Sequence, residues 1–452
     1  MNQKNLLTGL ILFLSVNLVS AQYITKDGGF GPSGLSNQGK VTGYESQSGP
    51  YQIWLPDSGN VIISIGGVAP GNGVGGEARF SNDGNFISGT SMGANGTEAS
   101  KYDRSTNTWT VMGSLGFPVQ GDYSGGWDIS GDANTLIGLA WTDTVSGNIH
   151  AHGIAINPAE GVMDLGSIYD TINRSTRANA VNYDGSVVVG WQDFNGPWKS
   201  AVWRKNPAGG YFPNQYILID TTVSQFDEYN QIGQCSAVSD DGIWIGGYGD
   251  YANNDEPWIW SQDSGVINLG TLPNVGRGFV SDMNADGSIV VGWFDGLNFG
   301  DPRTPFIWTP TGGLQELNDY INNVLGLPTG THQAYVASCI SPDGHYIAGY
   351  GIDNSVPTLF AFRVSLPFSS SGIHEENKAA DLNIYPNPTT GIVTIKNTGK
   401  ADITISSMEG KVVYKAELNG TLVLDMSNYA PGVYSLMLQT ADSVQTQKLV
   451  RN

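Results

Sequence analysis

Aromatic and acidic residues recur together along this chain. Tyr44, Trp191, Tyr248, Trp293 and Tyr350 each stand directly after a glycine that closes an apolar run, and Glu45, Asp193, Asp250, Asp295 and Asp353 follow within three residues. The segments between repeated units add Arg177, Arg277 and His332, with Asp122, Tyr123, Arg174, Glu228 and Tyr229 nearby. Aromatic faces stack on sugar rings and carboxylates accept hydroxyl protons, so these residues gathered at one mouth would suit a glycan. Aromatics at a fixed place in every unit more often serve as wedges between packed sheets, and the acids more often close turns or solvate loops. Which reading applies depends on the elements that position them.

Other chemistry is sparse. "DYANNDEP" offers Asp250, Asn253 and Asp255 as loosely spaced oxygen ligands, which leaves calcium open, but the central Gly and terminal Glu of a helical calcium loop are missing. No other cofactor is indicated. His150 and His152 share one face of a strand without a third ligand to complete a zinc site. Cys235 and Cys339 fall in first strands of their units and read as small buried residues, although export would permit a disulfide between them. No G-x-S-x-G elbow is present, so no triad is inferred.

Composition points to strands and turns. Charged residues make up 14% of 452, against 61 glycines and 20 tyrosines, which disfavours helices. A net charge of -20 opposes phosphate backbones and anionic bilayers, so nucleic acid is excluded as a partner class while cations and neutral glycans stay open. The amino end, "MNQKNLLTGLILFLSVNLVSAQ", has Lys4, an apolar run from Leu6 to Leu18 and small residues at Ser20 and Ala21. That is the layout of a secretory signal over residues 1–21, cut after Ala21, and it is too short for a membrane span. No later apolar stretch is long enough to span one.

The elements that carry the aromatics are repeated. "AVNYDGSVVVGW" at 180–191 returns as "DMNADGSIVVGW" at 282–293, and the shared Asp aligns with Asp83, Asp132, Asp241, Asp343 and, more weakly, Gln38. These seven anchors lie 45 to 57 residues apart, the spacing of a propeller blade. Two positions earlier stands Ser36, Ser81, Ser130, Asn182, Ser239, Asn284 or Ser341, whose side chain can bond back to the turn. The Gly after the anchor supplies positive φ, and only Ala133 departs from it. A second phrase carries Trp54, Trp203, Trp260, Trp308 and Phe362, with Tyr102 and Ile156 as equivalents, which read as core. The chain is therefore expected to be all-β, with a seven-bladed β-propeller of four-stranded blades over residues 22–366. The last unit lacks a fourth strand and "QYIT" at the start is spare, so the amino terminus should latch the ring.

The pair "DGSVVVGW" with "SAVWR", and "PFIWTPTGGLQEL" after "DGSIVVGWF", resembles the HAF-type extracellular repeats of bacterial exported proteins. That resemblance implies a scaffold and no particular activity. Residues 367–381, "PFSSSGIHEENKAAD", read as a linker, and 382–452 alternate apolar residues between turns as in a small Ig-like β-sandwich. This last segment resembles the type A sorting domain of the Bacteroidota type IX secretion system through Tyr385, Pro386, Asn387, Pro388 and Gly391, then Gly432, Tyr434, Lys448, Val450 and Arg451. The resemblance implies handling by the type IX machinery, removal of the domain, and a protein released or held at the cell surface.

Three functions fit. One is a surface binding or adhesion module for an extracellular glycan or protein. A second is a polysaccharide hydrolase or lyase, which needs two acids converging near the axis. The third is a structural surface protein, expected where apolar side chains plug the mouth.

Overall fold

The computed structural model describes residues 21–46, 48–68, 75–94, 96–142, 150–168, 174–193, 198–219, 230–249, 256–367, 383–407, 411–439 and 444–452. The leader read over 1–21 and the spacer over 367–381 lie outside these, apart from residues 21 and 367. The chain divides into two compact units, Met1–Phe368 and Ser369–Asn452.

The first unit is built of seven antiparallel sheets, each starting at an inner strand and stepping outward. Blade 1 is Gly31–Leu35, Val41–Tyr44, Tyr51–Leu55 and Val61–Gly66. Blade 2 has Phe86–Met92, Thr97–Asp103 and Thr108–Gly113, with residues 77–80 bonded along its inner edge through Ser88 N–H to the Arg79 carbonyl. Blade 3 is Ser124–Ile129, Leu136–Trp141, Ala151–Asn157 and Gly161–Asp164. In blade 4, Thr176–Val181, Val187–Asp193 and Trp198–Arg204 are completed by isolated bridges from Tyr211 and Gln215. Blade 5 is Cys235–Val238, Ile245–Gly247, Trp258–Ser261 and Gly265–Asn268; blade 6 is Val275–Met283, Val290–Gly296, Thr304–Thr309 and Gly313–Glu316. Blade 7 takes three strands from the end of the unit, His332–Ile340, Tyr346–Asp353 and Thr358–Ser365, and its fourth from the beginning, Tyr23–Asp27. That latch pairs Tyr23 with Val364 and Asp27 with Phe360, so the outer edge left by the third strand is covered by the chain's own start. One short helical stretch, Leu317–Val324, joins blades 6 and 7; Glu316 caps it by accepting from Asn318 N–H and Asp319 N–H.

The turn chemistry explains both repeated phrases. Asp83, Asp132, Asp184, Asp241, Asp286 and Asp343 each accept from the backbone N–H two residues on, at 2.9 to 3.1 Å. The next residue takes positive φ throughout, and Ala133 does so too, at 63°. The closing glycine has a different cause. The inner strand bulges opposite it, and a Cβ on Gly190 or Gly292 would lie 1.8 Å from the Arg177 carbonyl oxygen or 2.0 Å from that of Phe279.

Neighbouring turns are also tied to each other at this face. Asn82 N–H donates to the Gly131 carbonyl, Asp132 to Tyr183, Tyr183 to Asp240, Asp240 to Ala285 and Ala285 to Pro342, while Asp343 N–H reaches the Asn37 side chain in blade 1. The seam between blades 7 and 1 is held by Arg363, fully buried, whose guanidinium grips Asp57 at 2.5 and 2.8 Å and the Gly39 carbonyl at 3.0 Å.

Two core expectations shift. Trp54 and Trp203 are fully buried, but Trp260 and Trp308 are half-buried because Trp258 and Phe306, two residues earlier on the same face, occupy the deep position. In blade 7 the residue in register with Trp203 is Val364, not Phe362: Val364 pairs with Ile347 as Trp203 pairs with Val188, whereas Phe362 pairs with Gly349.

The second unit has strands Asn383–Tyr385, Ile392–Ser407, Val412–Asp425, Gly432–Gln439 and Val444–Arg451. Ile392–Ser407 pairs with Asn383–Tyr385 through its first half and with Gly432–Gln439 through its second, and its register against Val412–Asp425 shifts between Lys396 and Lys400. One strand thus serves both halves of a small sandwich, around a core that includes Val393, Ile403, Leu418, Leu436 and Leu449.

Candidate functional site

The second strand of each blade runs away from the tied turns, so its last residues emerge at the opposite face. There the structure gathers Tyr44, Glu45, Trp293 and Tyr350 around one axial chamber of about 350 Å³. Pro32, Ser33, Ser281, Val336 and Ser338 from inner strands complete its wall, together with Glu77 and Arg79, two residues that the repeat-based reading of the mouth did not single out. Arg79 is the floor. Its Nε lies 3.4 Å from the Glu77 carboxylate and its Nη1 lies 3.9 Å from Asp282. Burial pushes the Tyr44 phenol up to about 12, helped by the Glu77 carboxylate and by Tyr350.

Arg79 also lines a second, smaller cavity of about 70 Å³ on its other side, shared with Asp128, Asp240 and Asp282. Asp128 accepts from Ile129 N–H at 2.8 Å and Val181 N–H at 3.0 Å; Asp282 accepts from Met283 N–H at 2.9 Å and Ile340 N–H at 3.1 Å. Each acid therefore joins its own blade to the next. Desolvation nevertheless dominates, raising Asp128 to about 7 and Asp282 above its ordinary range, against the opposing pull of Arg79. Asp240, raised to about 6 by burial, accepts from Asn82 Nδ2 at 2.5 Å, three blades away. That contact crosses the axis. A signal for this cluster was present in the repeat: the position two before Ser81, Ser130 and Asn284 holds Arg79, Asp128 and Asp282, where the other copies have Gly34, Ala180, Ala237 and Cys339.

The remaining aromatics and acids form separate groups. Trp293 has Phe279 stacked on it at 4.2 Å and the Arg303 guanidinium at 4.1 Å, so its ring is packed by protein groups. Arg303 donates to the Tyr350 hydroxyl at 2.8 Å and lies 3.8 Å from Asp295, which Arg277 also approaches at 3.1 Å. Tyr248 meets Phe279 edge-on at 4.6 Å. Around blade 4, Trp191 is buried beneath Trp198, the two rings stacked at 4.4 Å, and Arg177 lies between Trp127 and Trp191 at 4.2 and 5.5 Å. Asp193 pairs with Arg174 at 3.5 Å. His332 turns along blade 7, edge-on to Phe360 and 3.4 Å from Asp27 of the latch, with Asp353 at 3.8 Å. Bonds from Ser355 and Thr331 hold Asp353 down at about 2.

Asp250, Asn253 and Asp255 lie outside the described residues. Among the described residues no cluster of His, Cys, Asp and Glu is arranged to hold a metal, and no helix is long and apolar enough to cross a membrane. His152 is paired with Asp164 at 2.9 Å. Cys235 and Cys339 are both free thiols in the core.

In the second unit, the loop after Tyr385 is clasped to the last strand. Asn387 accepts from Val450 N–H at 2.8 Å, Thr389 N–H donates to the Val450 carbonyl, and Gly391 lies against Ser427. Pro386 and Pro388 stand exposed in this loop. Gly432 opens its strand opposite Arg451, whose Nε donates to the Met426 carbonyl; Tyr434 is buried with its hydroxyl on the Ala430 carbonyl, and Lys448 pairs in register with Ser435.

Residues 383–452 match the family model described as the secretion system C-terminal sorting domain. The chain carries a type IX sorting domain. Its destination is accordingly the cell surface or the medium beyond it. No curated protein sequence matches the exported chain. Solved structures similar to it include oligogalacturonate lyase from Vibrio parahaemolyticus, at 13% identity over 77% of this chain and 92% of that one, with TM-score 0.45. The β-propeller domain of the Trilobed protease from Pyrococcus furiosus is 11% identical over 78% and 99%, TM-score 0.47, and a streptogramin B lyase is 14% identical over 76% and 97%, TM-score 0.44. These likenesses are of fold, and nothing of those proteins' chemistry is carried over.

Proposed function

We propose that the exported propeller is a binding module that holds an extracellular glycan in its axial mouth. The observation that carries this reading is the chamber itself: open at one face, closed below by Arg79, and lined by hydroxyls, phenols and two carboxylates. Such a wall offers acceptors and donors to a polyhydroxylated ligand, whereas an apolar plug would have favoured a purely structural role. Stacking platforms are fewer than the residue types suggest, since the rings of Trp191 and Trp293 are packed against protein groups. The ligand is held mainly by hydrogen bonds at the chamber wall, with Trp198, 46% exposed, as an outlying ring.

Glu45 and Glu77 share that chamber, which supports a second reading as a hydrolase or lyase acting through paired carboxylates. A glycan array probed with the full chain, with and without calcium, followed by overnight incubation of each hit and analysis for shortened products, separates the two. Binding without products is the expected result. Products that disappear in Glu45→Gln or Glu77→Gln would make it an enzyme, and silence across the array would turn the search to protein partners.

A further inference from the structure

We infer that the mouth selects an organic cation, and that its ligand, on the glycan reading above, is an amino sugar with a protonated amine. The sugar half of this inference rests on that reading; the cation half rests on the lining. Tyr44 and Tyr350 contribute aromatic walls, Trp293 contributes a ring whose faces Phe279 and Arg303 already cover, and Glu45 and Glu77 contribute carboxylates. Ring faces attract cations through their quadrupole, and an ammonium bonded to a carboxylate is held about twice as strongly as a neutral pair.

Arg79 is the one cation among the described lining residues, and Arg303, which stands against Trp293 and Tyr350, is paired with Asp295 at 3.8 Å, so the two guanidiniums do not reverse this balance. The Arg79 guanidinium is already answered by Glu77 at 3.4 Å and, from below, by Asp282 at 3.9 Å. Glu45, exposed at the rim, stays available to an incoming charge.

The protein itself shows how a cation sits here. Arg303 lays its guanidinium over Trp293 at 4.1 Å while donating to the Tyr350 hydroxyl at 2.8 Å, a cation on a ring face that also finds a phenol oxygen. Its side chain is 43% exposed and also lies 3.8 Å from Asp295, so a ligand amine takes this place by displacing it. An amine on a pyranose ring would make the same pair of contacts, with the sugar hydroxyls left for the chamber wall. The net charge of -20 draws such a ligand from solution.

The test is isothermal titration calorimetry of the full chain against three probes: a β-1,4-glucosamine tetramer, its fully N-acetylated form, and choline as an amine without a sugar. The free-amine tetramer is expected to bind about tenfold tighter than the acetylated one, with the preference shrinking as salt is added. Glu77→Gln should weaken the free-amine tetramer by roughly tenfold, in line with loss of a charged hydrogen bond, and leave the acetylated one within about twofold. Because Glu77 also pairs with Arg79, the rim variant Glu45→Gln provides a second reading that does not burden the fold. Equal binding of both tetramers, or a preference untouched by both variants, overturns cation selection and leaves the glycan reading standing. Choline bound in a Glu77-dependent way, with both tetramers silent, supports cation selection and overturns the sugar. Silence from all three probes overturns both.

Discussion

Arg363 shows how much one residue can decide at a seam. It sits on the third strand of blade 7, fully buried, yet its partners Asp57 and Gly39 belong to blade 1, and its guanidinium also lies 4.6 Å from the Tyr346 ring centre. Asp57 is half exposed, so when Arg363 is removed that carboxylate keeps water, while the Gly39 carbonyl loses its donor. Arg363→Met should therefore cost about 2–3 kcal/mol, below the full penalty for orphaning a buried charge. Urea unfolding of the two proteins measures it, and a loss under about 1 kcal/mol would assign the seam to packing instead. No repeat alignment could point to this residue's partner, because Asp57 lies at the far end of the unit in sequence. The same limit applies at the mouth. Trp293 and Tyr350 were legible from their place after a glycine, but Phe279 on one face of Trp293 and Arg303 on the other come from different segments, and only the fold puts them there.

At the scale of elements, the hairpin turn is where local chemistry and fold agree most closely. Gly287 has φ 68°, and a Cβ there would meet Trp244 Cδ1 at 2.7 Å, so Gly287→Ala combines left-handed strain with a clash. A loss of about 2 kcal/mol is expected. Ala133→Gly is the converse experiment: the left-handed cost is relieved while the unfolded chain gains freedom, leaving a net change within roughly 1 kcal/mol of zero, most simply read as a melting shift. The latch gives a larger effect. Removing residues 22–27 uncovers the edge of Thr358–Ser365 and ends the backbone pairing from Tyr23 to Asp27, so the truncated ring should melt earlier and self-associate through that edge in size-exclusion chromatography. A truncated chain that stays monomeric with an unchanged melting point would rule the latch out as a stabilising element. The strands, turns and latch were readable because each depends on a few neighbouring residues with fixed backbone demands. The offset in blade 7, where Val364 takes the register position and Phe362 does not, was unreadable for the complementary reason: a shift by two keeps the same face, and the apolar pattern looks identical either way.

Across the whole molecule, the least legible feature is the charge on the axis, and it carries a consequence for stability. Asp128, raised to about 7, and Asp240, raised to about 6, bind protons in the folded ring at pH values where the unfolded chain, with carboxyls near 3.9, has released them. Folding therefore takes up protons between about pH 4 and 7, and the stability these groups allow is fully present below about 4 and lost as pH rises through 6 and then 7. Arg79 and the backbone donors Ile129 and Val181 oppose the rise at Asp128, while Asp282 and burial reinforce it; at Asp240 the donor is Asn82 and the reinforcing charges are Asp282 and Asp241. Asp353, held at about 2, works in the other sense and loses its contribution only as pH falls toward that value. The melting temperature should thus decline from pH 5 to about pH 7 and level off above it, the decline being equivalent to about 1 kcal/mol per pH unit for each proton released. Asp128→Asn keeps one acceptor for the two N–H groups and removes the titration, so it should be less stable at pH 5 yet show a flatter decline between pH 5 and 7. A wild-type profile that is flat or rises over that interval would mean the axial acids are already ionised, with Arg79 balancing more of their charge than its 3.9 Å separation from Asp282 implies.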